Sequence, residues 1–251
     1  GVGELVWKRQ LGGGVSSSSP SISHDGKLVF MGHGSGVMAV DILTGHERWR
    51  FNAGQKVYSV TVGTNGLLYC GYQKIFALEQ TTGEKVWEFD AVDQTFDMAL
   101  SNDGYLYVIS RAGYMHALNA ENGEEVWRDN SLGVLVGVTS QAPAIDSEGN
   151  LYAAGRDKLR KYNGETGEQI WETTDVHFSR QPILDEVRDR IVGCEGGKII
   201  TFEMATGEKI WEKGSQSQNF GDFSDSPSID NEGEFYVGSQ YLAGVFQFHK
   251  F

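Results

Sequence analysis

The sequence predicts an all-β fold, a six-bladed β-propeller of four-stranded antiparallel blades. The first observation is a Glu-x-hydrophobic-Trp motif, written Glu84-Lys85-Val86-Trp87 in its third copy and varied to His46-Glu47-Arg48-Trp49 in its second. All six tryptophans fall in its copies, at intervals of 38 to 44 residues. The second is that apolar runs of about five residues, bounded by Asp-Gly, Asn-Gly, Glu-Gly or Thr-Gly, lie between the motifs. A fixed period of this length is typical of repeat architectures.

Each period contains four such runs, which predicts one antiparallel meander per repeat. No composition change marks a boundary inside the 251 residues, so we predict a single domain over residues 1–251. Its blades are expected at residues 18–51, 58–89, 96–129, 140–173, 179–213 and 224–251, the last together with 3–9.

The two ends of the chain are predicted to complete one blade. The sixth repeat has three predicted strands and no tryptophan, whereas residues 3–7 match the fourth strand of the other repeats. The N-terminal strand is therefore expected to join the last C-terminal blade and close the ring. Closure of this kind leaves no open sheet edge that could pair with another chain.

The four prolines support the same alignment, because all occupy one position in the first strand of their repeats: Pro20, Pro143, Pro182 and Pro227. Proline cannot donate a hydrogen bond to a strand ladder and is confined to edge strands or strand starts. The first strand of each repeat is therefore predicted to be innermost and to line the central channel.

The tryptophans are predicted to be structural, each covering the seam between its blade and the next. A buried indole removes on the order of 200 Å² from water, and the Thr-Gly that precedes most copies forms the tight turn into the strand. This interpretation applies to Trp7, Trp49, Trp87, Trp127, Trp171 and Trp211.

The repeat Ser-x-Pro-x-Ile-x-x-(Asp/Glu)-Gly-x-(Leu/Phe)-Tyr-x-Gly, ending in (Thr/Asn)-Gly-Glu-x-x-Trp, resembles the PQQ-like repeat over essentially the whole chain. Quinoprotein dehydrogenases and BamB-type outer-membrane assembly proteins are built from this repeat. The resemblance implies a periplasmic or secreted location. It implies no single activity, because one fold supports many functions.

The sequence departs from the pattern of the enzymes in the family that it resembles. Those enzymes usually have eight blades, a disulfide between adjacent cysteines and a calcium ion beside pyrroloquinoline quinone. Here the only cysteines, Cys70 and Cys194, are far apart in sequence and cannot form that ring. The six histidines are scattered singly, without metal-ligand spacing. We therefore expect no cofactor, no metal site and no enzymatic activity.

Composition narrows the choice of partners. A net charge of −13 opposes binding to a phosphate backbone, so nucleic acid is not an expected partner. The chain has no apolar run long enough to cross a bilayer, so no transmembrane segment is expected. The expected partner is a protein or a small polar ligand, bound by a monomer.

The predicted site is the face on which the connections between repeats, and between second and third strands, emerge. These connections vary in length, and variable loops on a uniform scaffold usually carry binding residues. The candidates at the channel mouth are Tyr58, Phe96, Asp97, Gln141, Arg180 and Asp225. Arg180 either grips a carboxylate of a ligand or neutralises Asp97 or Asp225.

The absence of a recognisable catalytic motif favours a non-catalytic binding or scaffold propeller that uses this face. Two alternatives remain open at this stage. One is an alcohol or sugar dehydrogenase that depends on pyrroloquinoline quinone and calcium, with Asp97 or Asp225 as calcium ligand or general base. The other is a carbohydrate-binding propeller with pockets between its blades.

Overall fold

A computed structural model of the chain describes residues 3–9, 18–134, 142–155, 157–178, 180–214, 222–223, 226–241 and 245–250. The chain divides into two compact bodies. The N-terminal body comprises residues 1–106 and 118–125, and the C-terminal body comprises 107–117 and 126–251. Within the described ranges, no helix has the length and apolar character needed to cross a membrane.

The described strands form six four-stranded sheets, which confirms the predicted all-β architecture of antiparallel repeats. The first two sheets contain β1 Ser21–Ile22, β2 Leu28–His33, β3 Gly36–Asp41 and β4 Glu47–Asn52, followed by β5 Ser59–Val62, β6 Leu67–Gly71, β7 Lys74–Glu79 and β8 Lys85–Asp90. The third sheet contributes residues to both bodies and contains β9 Thr95–Leu100, β10 Tyr105–Ser110, β11 Met115–Asn119 and β12 Glu125–Asp129.

The remaining sheets belong to the C-terminal body. The fourth contains β13 Ala144–Ile145, β14 Asn150–Ala154, β15 Lys158–Asn163 and β16 Gln169–Thr174. The fifth contains β17 Ile183–Asp185, β18 Arg190–Glu195, β19 Lys198–Glu203 and β20 Lys209–Gly214, with a short 3-10 helix at Glu186–Arg188. The sixth contains β21 Asp222–Phe223, β22 Ser228–Ile229, β23 Phe235–Tyr241 and β24 Val245–Lys250.

The first five sheets are meanders in which neighbouring strands are consecutive in sequence. In the sixth sheet, β21 and β22 both pair with β23, and β24 pairs with its opposite edge. Its four strands therefore fill three positions, and β21 is a strand that was not predicted from the sequence. Residues 4–9 adopt no strand conformation, so the predicted closure of the ring by the N-terminus stays a prediction.

The prolines mark the first strand of four repeats. Each lies immediately before its strand: Pro20 before β1, Pro143 before β13, Pro182 before β17 and Pro227 before β22. In the N-terminal body, Ser21 Oγ of β1 donates a 2.8 Å hydrogen bond to Val60 O of β5, so neighbouring first strands are linked directly. Proline at this position costs no hydrogen bond, because the chain is only entering the ladder there.

Apolar side chains fill the space between neighbouring sheets. One core cluster includes Phe30 and Trp49 of the first sheet with Leu68 and Phe76 of the second. Another cluster joins the fourth and fifth sheets, and a third joins the fifth and sixth. These five sheets are therefore stabilised by packing against a neighbour, as expected of a repeat that cannot bury its apolar face alone.

Within each body, the indole nitrogen of a tryptophan donates a hydrogen bond to a backbone carbonyl of the next repeat. Trp49 Nε1 donates to Gln80 O at 2.8 Å, and Trp87 Nε1 donates to Ala120 O at 3.0 Å, so each indole reaches the next repeat. Trp127 and Trp171 do the same in the C-terminal body. Trp7 donates to Ile42 O at 2.8 Å. The indole thus seals the seam through packing and one hydrogen bond.

The glycine of the Thr-Gly or Asn-Gly turn has a second role that its turn chemistry does not reveal. A Cβ at Gly123 would lie 2.6 Å from Cδ2 of Trp87, and equivalent contacts occur at Gly45, Gly83, Gly167 and Gly207. All five glycines also have positive φ values, between 68° and 76°. The position therefore needs glycine both for its left-handed backbone and for the indole that lies on it.

Candidate functional site

The six residues predicted to line the channel mouth are only partly described. Tyr58, Asp97 and Arg180 are half-buried. Phe96 lies in β9, but its side chain is outside what the structure describes. Gln141 and Asp225 lie outside the described residues. Because Tyr58 and Asp97 belong to the N-terminal body and Arg180 to the C-terminal body, their convergence remains a prediction.

In the N-terminal body, Tyr58 is part of an aromatic pair at the entrance to the second repeat. Its ring lies 4.8 Å from that of Tyr72, centroid to centroid, and the Lys56 ammonium lies 6.0 Å from the Tyr58 centroid. Tyr72 is held by Thr95, whose hydroxyl donates to Tyr72 O at 2.6 Å. This arrangement places a pair of aromatic rings beside a cation, a combination suited to polar and aromatic partners.

In the C-terminal body, the segment around Arg180 is tied to its neighbours by side-chain hydrogen bonds. Gln181 Nε2 donates to Pro143 O at 3.4 Å, and Ser226 Oγ donates to Gln181 O at 3.1 Å. The starts of three successive first strands are therefore connected. Arg180 directly precedes Gln181 of this connected row.

A cavity of about 700 Å³ lies between the first and second sheets of the N-terminal body. Its lining includes the connection at residues 53–55 and, in the turn between β6 and β7, Gln73. The first of these segments connects two repeats, and the second connects the second and third strands of one repeat. Both kinds of connection are predicted to carry binding residues. Phe51 and Phe76 contribute its aromatic part, with ring centroids 5.3 Å apart.

A charged triad forms one wall of this cavity. Lys74 Nζ and Lys85 Nζ donate to the two oxygens of Glu88, at 2.9 and 2.5 Å. These hydrogen bonds, from Lys85 and then Lys74, hold the pKa of Glu88 at about 2, so the carboxylate stays charged. The fifth repeat contains the same triad, with Glu212 between Lys198 at 3.0 Å and Lys209 at 2.9 Å.

Val92 lies on the rim of the cavity in a backbone conformation that valine rarely adopts. Its φ is +69°, and its side chain is 59% exposed. Gly54, with φ +65°, occupies the equivalent position after the first repeat. Asp90 Oδ1 accepts a 3.1 Å hydrogen bond from Val92 N and fixes the turn. Strained residues of this kind cluster at functional sites. An alignment of the repeats, which places Val92 at the position of Gly54, could have identified Val92 from the sequence.

Replacement of Val92 by glycine is expected to leave stability unchanged or to raise it by about 1 kcal/mol. Glycine removes the strain of a left-handed β-branched residue, and the greater freedom of its unfolded chain offsets part of that gain. The matched control is Val86→Gly in β8, which should destabilise by about 1 kcal/mol. Urea unfolding of both variants gives the comparison. Equal losses would show that Val92 carries no strain.

A buried polar network in the C-terminal body was not predicted from the sequence. The side chain of Arg160 in β15 is 3% exposed. It donates to Asp129 at 2.9 Å, Ser131 Oγ at 2.6 Å, Tyr162 Oη at 3.1 Å and Glu172 at 2.6 Å. Tyr162 Oη also donates to Asp129 at 2.5 Å. The guanidinium is therefore surrounded by hydrogen-bond partners, as a buried charge requires.

The repeat alignment explains where this network comes from. Asp129 follows Trp127 by two positions, as Phe51 follows Trp49. In the strand register, Arg160 lies opposite Glu172, the residue after Trp171. Phe76 likewise lies opposite Glu88, the residue after Trp87. An ion pair in the C-terminal body thus replaces the aromatic pair of Phe51 and Phe76. The signal in the sequence was Arg160 at the position that is Met38, Phe76 and Ile200 in the first, second and fifth repeats.

The network predicts a pH dependence. Burial acts to raise the pKa values of Asp129 and Glu172. Hydrogen bonds oppose it, the strongest from Tyr162 to Asp129 and from Arg160 to Glu172, and so does the positive charge of Arg160. The pKa values of both carboxyls therefore lie below their ordinary values. A carboxyl whose pKa is lower in the folded than in the unfolded chain stabilises the fold at pH values above its unfolded-state pKa. This contribution is lost as the pH falls through its folded-state pKa.

We therefore expect the stability advantage of the wild type over Arg160→Met to be constant near neutral pH. It should shrink as the pH falls below the ordinary aspartate pKa of 3.8. Denaturant unfolding at a series of pH values measures this difference. An advantage that persists undiminished in acid would mean that the two carboxylates do not depend on Arg160.

The cysteines do not provide the adjacent pair that the family's enzymes use. Cys70 lies in the second sheet and Cys194 in the fifth, and both are free and buried. Burial raises the pKa of each thiol to about 12, so neither is a reactive thiolate at neutral pH. Across the described ranges, no three His, Cys, Asp or Glu side chains are grouped in a way that could hold a metal ion.

Comparisons with known proteins place these features in a family. The sequence model described as outer membrane protein assembly factor BamB matches residues 2–101 and 71–248. The crystal structure of BamB from Moraxella catarrhalis matches with a TM-score of 0.72 and 21% identity, over 93% of this chain and 73% of that chain. The crystal structure of the computationally designed Ika8 protein matches with a TM-score of 0.74 and 13% identity, over 94% and 70%. No curated protein sequence matches the chain.

Proposed function

Because the chain belongs to the family of PQQ-like repeat proteins described as outer membrane protein assembly factor BamB, we propose that it is a non-catalytic scaffold that binds a protein partner. The observation that carries this proposal is the family match, which extends from residue 2 to residue 248 with one overlap. The proposed role is assembly of outer-membrane proteins, in a periplasmic or secreted location, by a monomer.

The proposed binding surface is the loop face at the channel mouth. In the N-terminal body it presents the tilted ring pair of Tyr58 and Tyr72 with Lys56 beside it. In the C-terminal body it presents Arg180 next to the hydrogen-bonded row of first strands. Aromatic residues and arginine contribute most of the binding energy at many protein interfaces, which makes these positions suitable anchors.

The test is site-specific photo-crosslinking in cells that make the protein. A photoreactive residue at position 56 or 180 should yield an adduct with a protein of the outer-membrane assembly machinery. Position 187 is the matched control, because Val187 is 89% exposed but lies in the hairpin between first and second strands. Adducts at 187 alone, or at none of the three positions, would contradict the proposal.

A closed ring is part of the proposed scaffold. Trp7 contacts the first repeat through Ile42 O and Gly45, as Trp49 contacts the second repeat. We propose that residues 3–9 supply the outermost strand position of the sixth sheet. A variant lacking these residues should unfold at lower denaturant concentration and self-associate through its open edge, detected by light scattering. An unchanged midpoint and mass would refute closure.

The competing quinoprotein dehydrogenase has a direct test. Calorimetric titration with pyrroloquinoline quinone, with and without calcium, is expected to give no binding, because the adjacent cysteines of the family's enzymes are absent from this sequence. Dye reduction with simple alcohols and aldose sugars should stay at background. Tight calcium-dependent binding with turnover would replace the scaffold by an enzyme, and Asp97 would then be the first residue to mutate.

A further inference from the structure

We propose that the cavity between the first and second sheets of the N-terminal body binds a neutral saccharide. This inference does not depend on the protein partner proposed above. It rests on the size of the cavity, on the balance of its charges and on the hydrogen-bonding groups that remain available in it. Each of these properties is a feature of described residues.

The size and shape suit a small molecule rather than a protein surface. The volume of about 700 Å³ lies within the range of roughly 300–1,000 Å³ that is usual for ligand pockets. The aromatic part of the lining contains half-buried Phe51 and buried Phe76. Exposed side chains on the rim include Gln73, Asp90 and Val92. A ligand would therefore meet an apolar surface and a polar rim.

The charges in the lining cancel, which favours a neutral ligand. Lys74 and Lys85 contribute two positive charges, and Glu88 and Asp90 contribute two negative charges. Both lysines donate to Glu88, so neither ammonium depends on an external anion. The net charge of −13 further opposes an anionic ligand.

The available polar groups match hydroxyls. Each sugar hydroxyl is both donor and acceptor; an amide offers both functions, and an ionised carboxylate offers acceptor oxygens. The hydrogen bonds that fix Asn52 use its Oδ1, which accepts from Ser35 Oγ and Gly54 N. Its amide nitrogen can then donate to a ligand. Gln73 is an exposed amide on the opposite turn of the cavity.

The same cavity is poorly suited to an extended peptide. A peptide that adds a strand to a sheet binds through main-chain hydrogen bonds. Here the side chain of Gln55 already donates to Lys74 O at 2.5 Å and accepts from Lys74 N at 3.1 Å. The backbone groups that an added strand would use at Lys74 are therefore occupied.

The test is ligand-observed NMR of the full chain with three probes: neutral oligosaccharides of glucose, mannose and N-acetylglucosamine, a sulfated oligosaccharide, and an unstructured hexapeptide. Two variants change the lining, Glu88→Gln in its charged wall and Gln73→Ala on its rim. The matched control is Glu212→Gln, which alters the equivalent triad of the fifth repeat. Glu88 and Glu212 are both partly exposed, so both variants should fold.

The expected result is saturable binding of at least one neutral oligosaccharide, weakened about tenfold by Glu88→Gln or Gln73→Ala and unchanged by Glu212→Gln. The proposal is overturned if no neutral oligosaccharide binds the wild type, or if only the sulfated oligosaccharide or the hexapeptide binds. It is equally overturned if binding survives both Glu88→Gln and Gln73→Ala, because the ligand then occupies another place.

Discussion

Replacement of Gly123 by alanine is expected to destabilise the protein by roughly 2–5 kcal/mol, although it adds a single methyl group. Two costs combine. The backbone at Gly123 has a φ of +76°, where an L-residue is strained by about 1–2 kcal/mol. The new Cβ would also lie 2.6 Å from Cδ2 of Trp87, so the indole must move away from the seam that it covers.

Gly104→Ala separates these two costs. Gly104 has a φ of +85°, but no heavy atom lies within 4 Å of its ideal Cβ position. This variant should therefore lose only the backbone contribution, about 1–2 kcal/mol. Urea unfolding followed by tryptophan fluorescence measures both variants. Equal losses for Gly104→Ala and Gly123→Ala would mean that contact with the indole is unimportant.

A double-mutant cycle tests the same contact from the other side. In a Trp87→Ala background, the added methyl at position 123 no longer meets an indole, so Gly123→Ala should cost about as much as Gly104→Ala. The interaction energy of the cycle then reports the steric conflict alone. If the effects of Gly123→Ala and Trp87→Ala on the free energy of unfolding are simply additive, Trp87 does not pack on Gly123.

Replacement of Arg160 by methionine is expected to cost about 3 kcal/mol. Removing one member of a buried ion pair typically costs 3–5 kcal/mol, because its partners stay buried without compensation. The lower end applies here, because the side chains of Asp129 and Glu172 retain 20% and 25% exposure. Methionine fills the space and matches Met38, which pairs with Arg50 in the first repeat. The shift in unfolding midpoint gives the loss.

The first repeats supply a rescue for this variant. Phe51, Phe76 and Leu78 occupy the positions that correspond to Asp129, Arg160 and Tyr162. The triple variant Asp129→Phe, Arg160→Phe, Tyr162→Leu transplants that apolar set and should recover at least half of the loss. Recovery is expected because well-packed apolar residues often replace a buried ion pair without loss. A triple variant as unstable as Arg160→Met would show that the two seams are not equivalent.

The repeat itself determined most of the fold from sequence. Tryptophans spaced by about 40 residues, with glycine turns between apolar runs, gave the number of sheets and the strand order of the first five. Prolines located the first strands, because the missing N–H permits few positions in a sheet. These inferences succeeded because strand periodicity and turn chemistry are local properties of the chain.

Only the tertiary structure decided how one repeat meets the next. The turn glycines such as Gly123 are required by an indole about 36 residues away, and Arg160 is buried because Asp129 of another sheet lies beside it. The cavity near Glu88 likewise forms from two sheets, and no single repeat contains it. Contacts between distant segments depend on packing distance, which residue types and spacing alone do not specify.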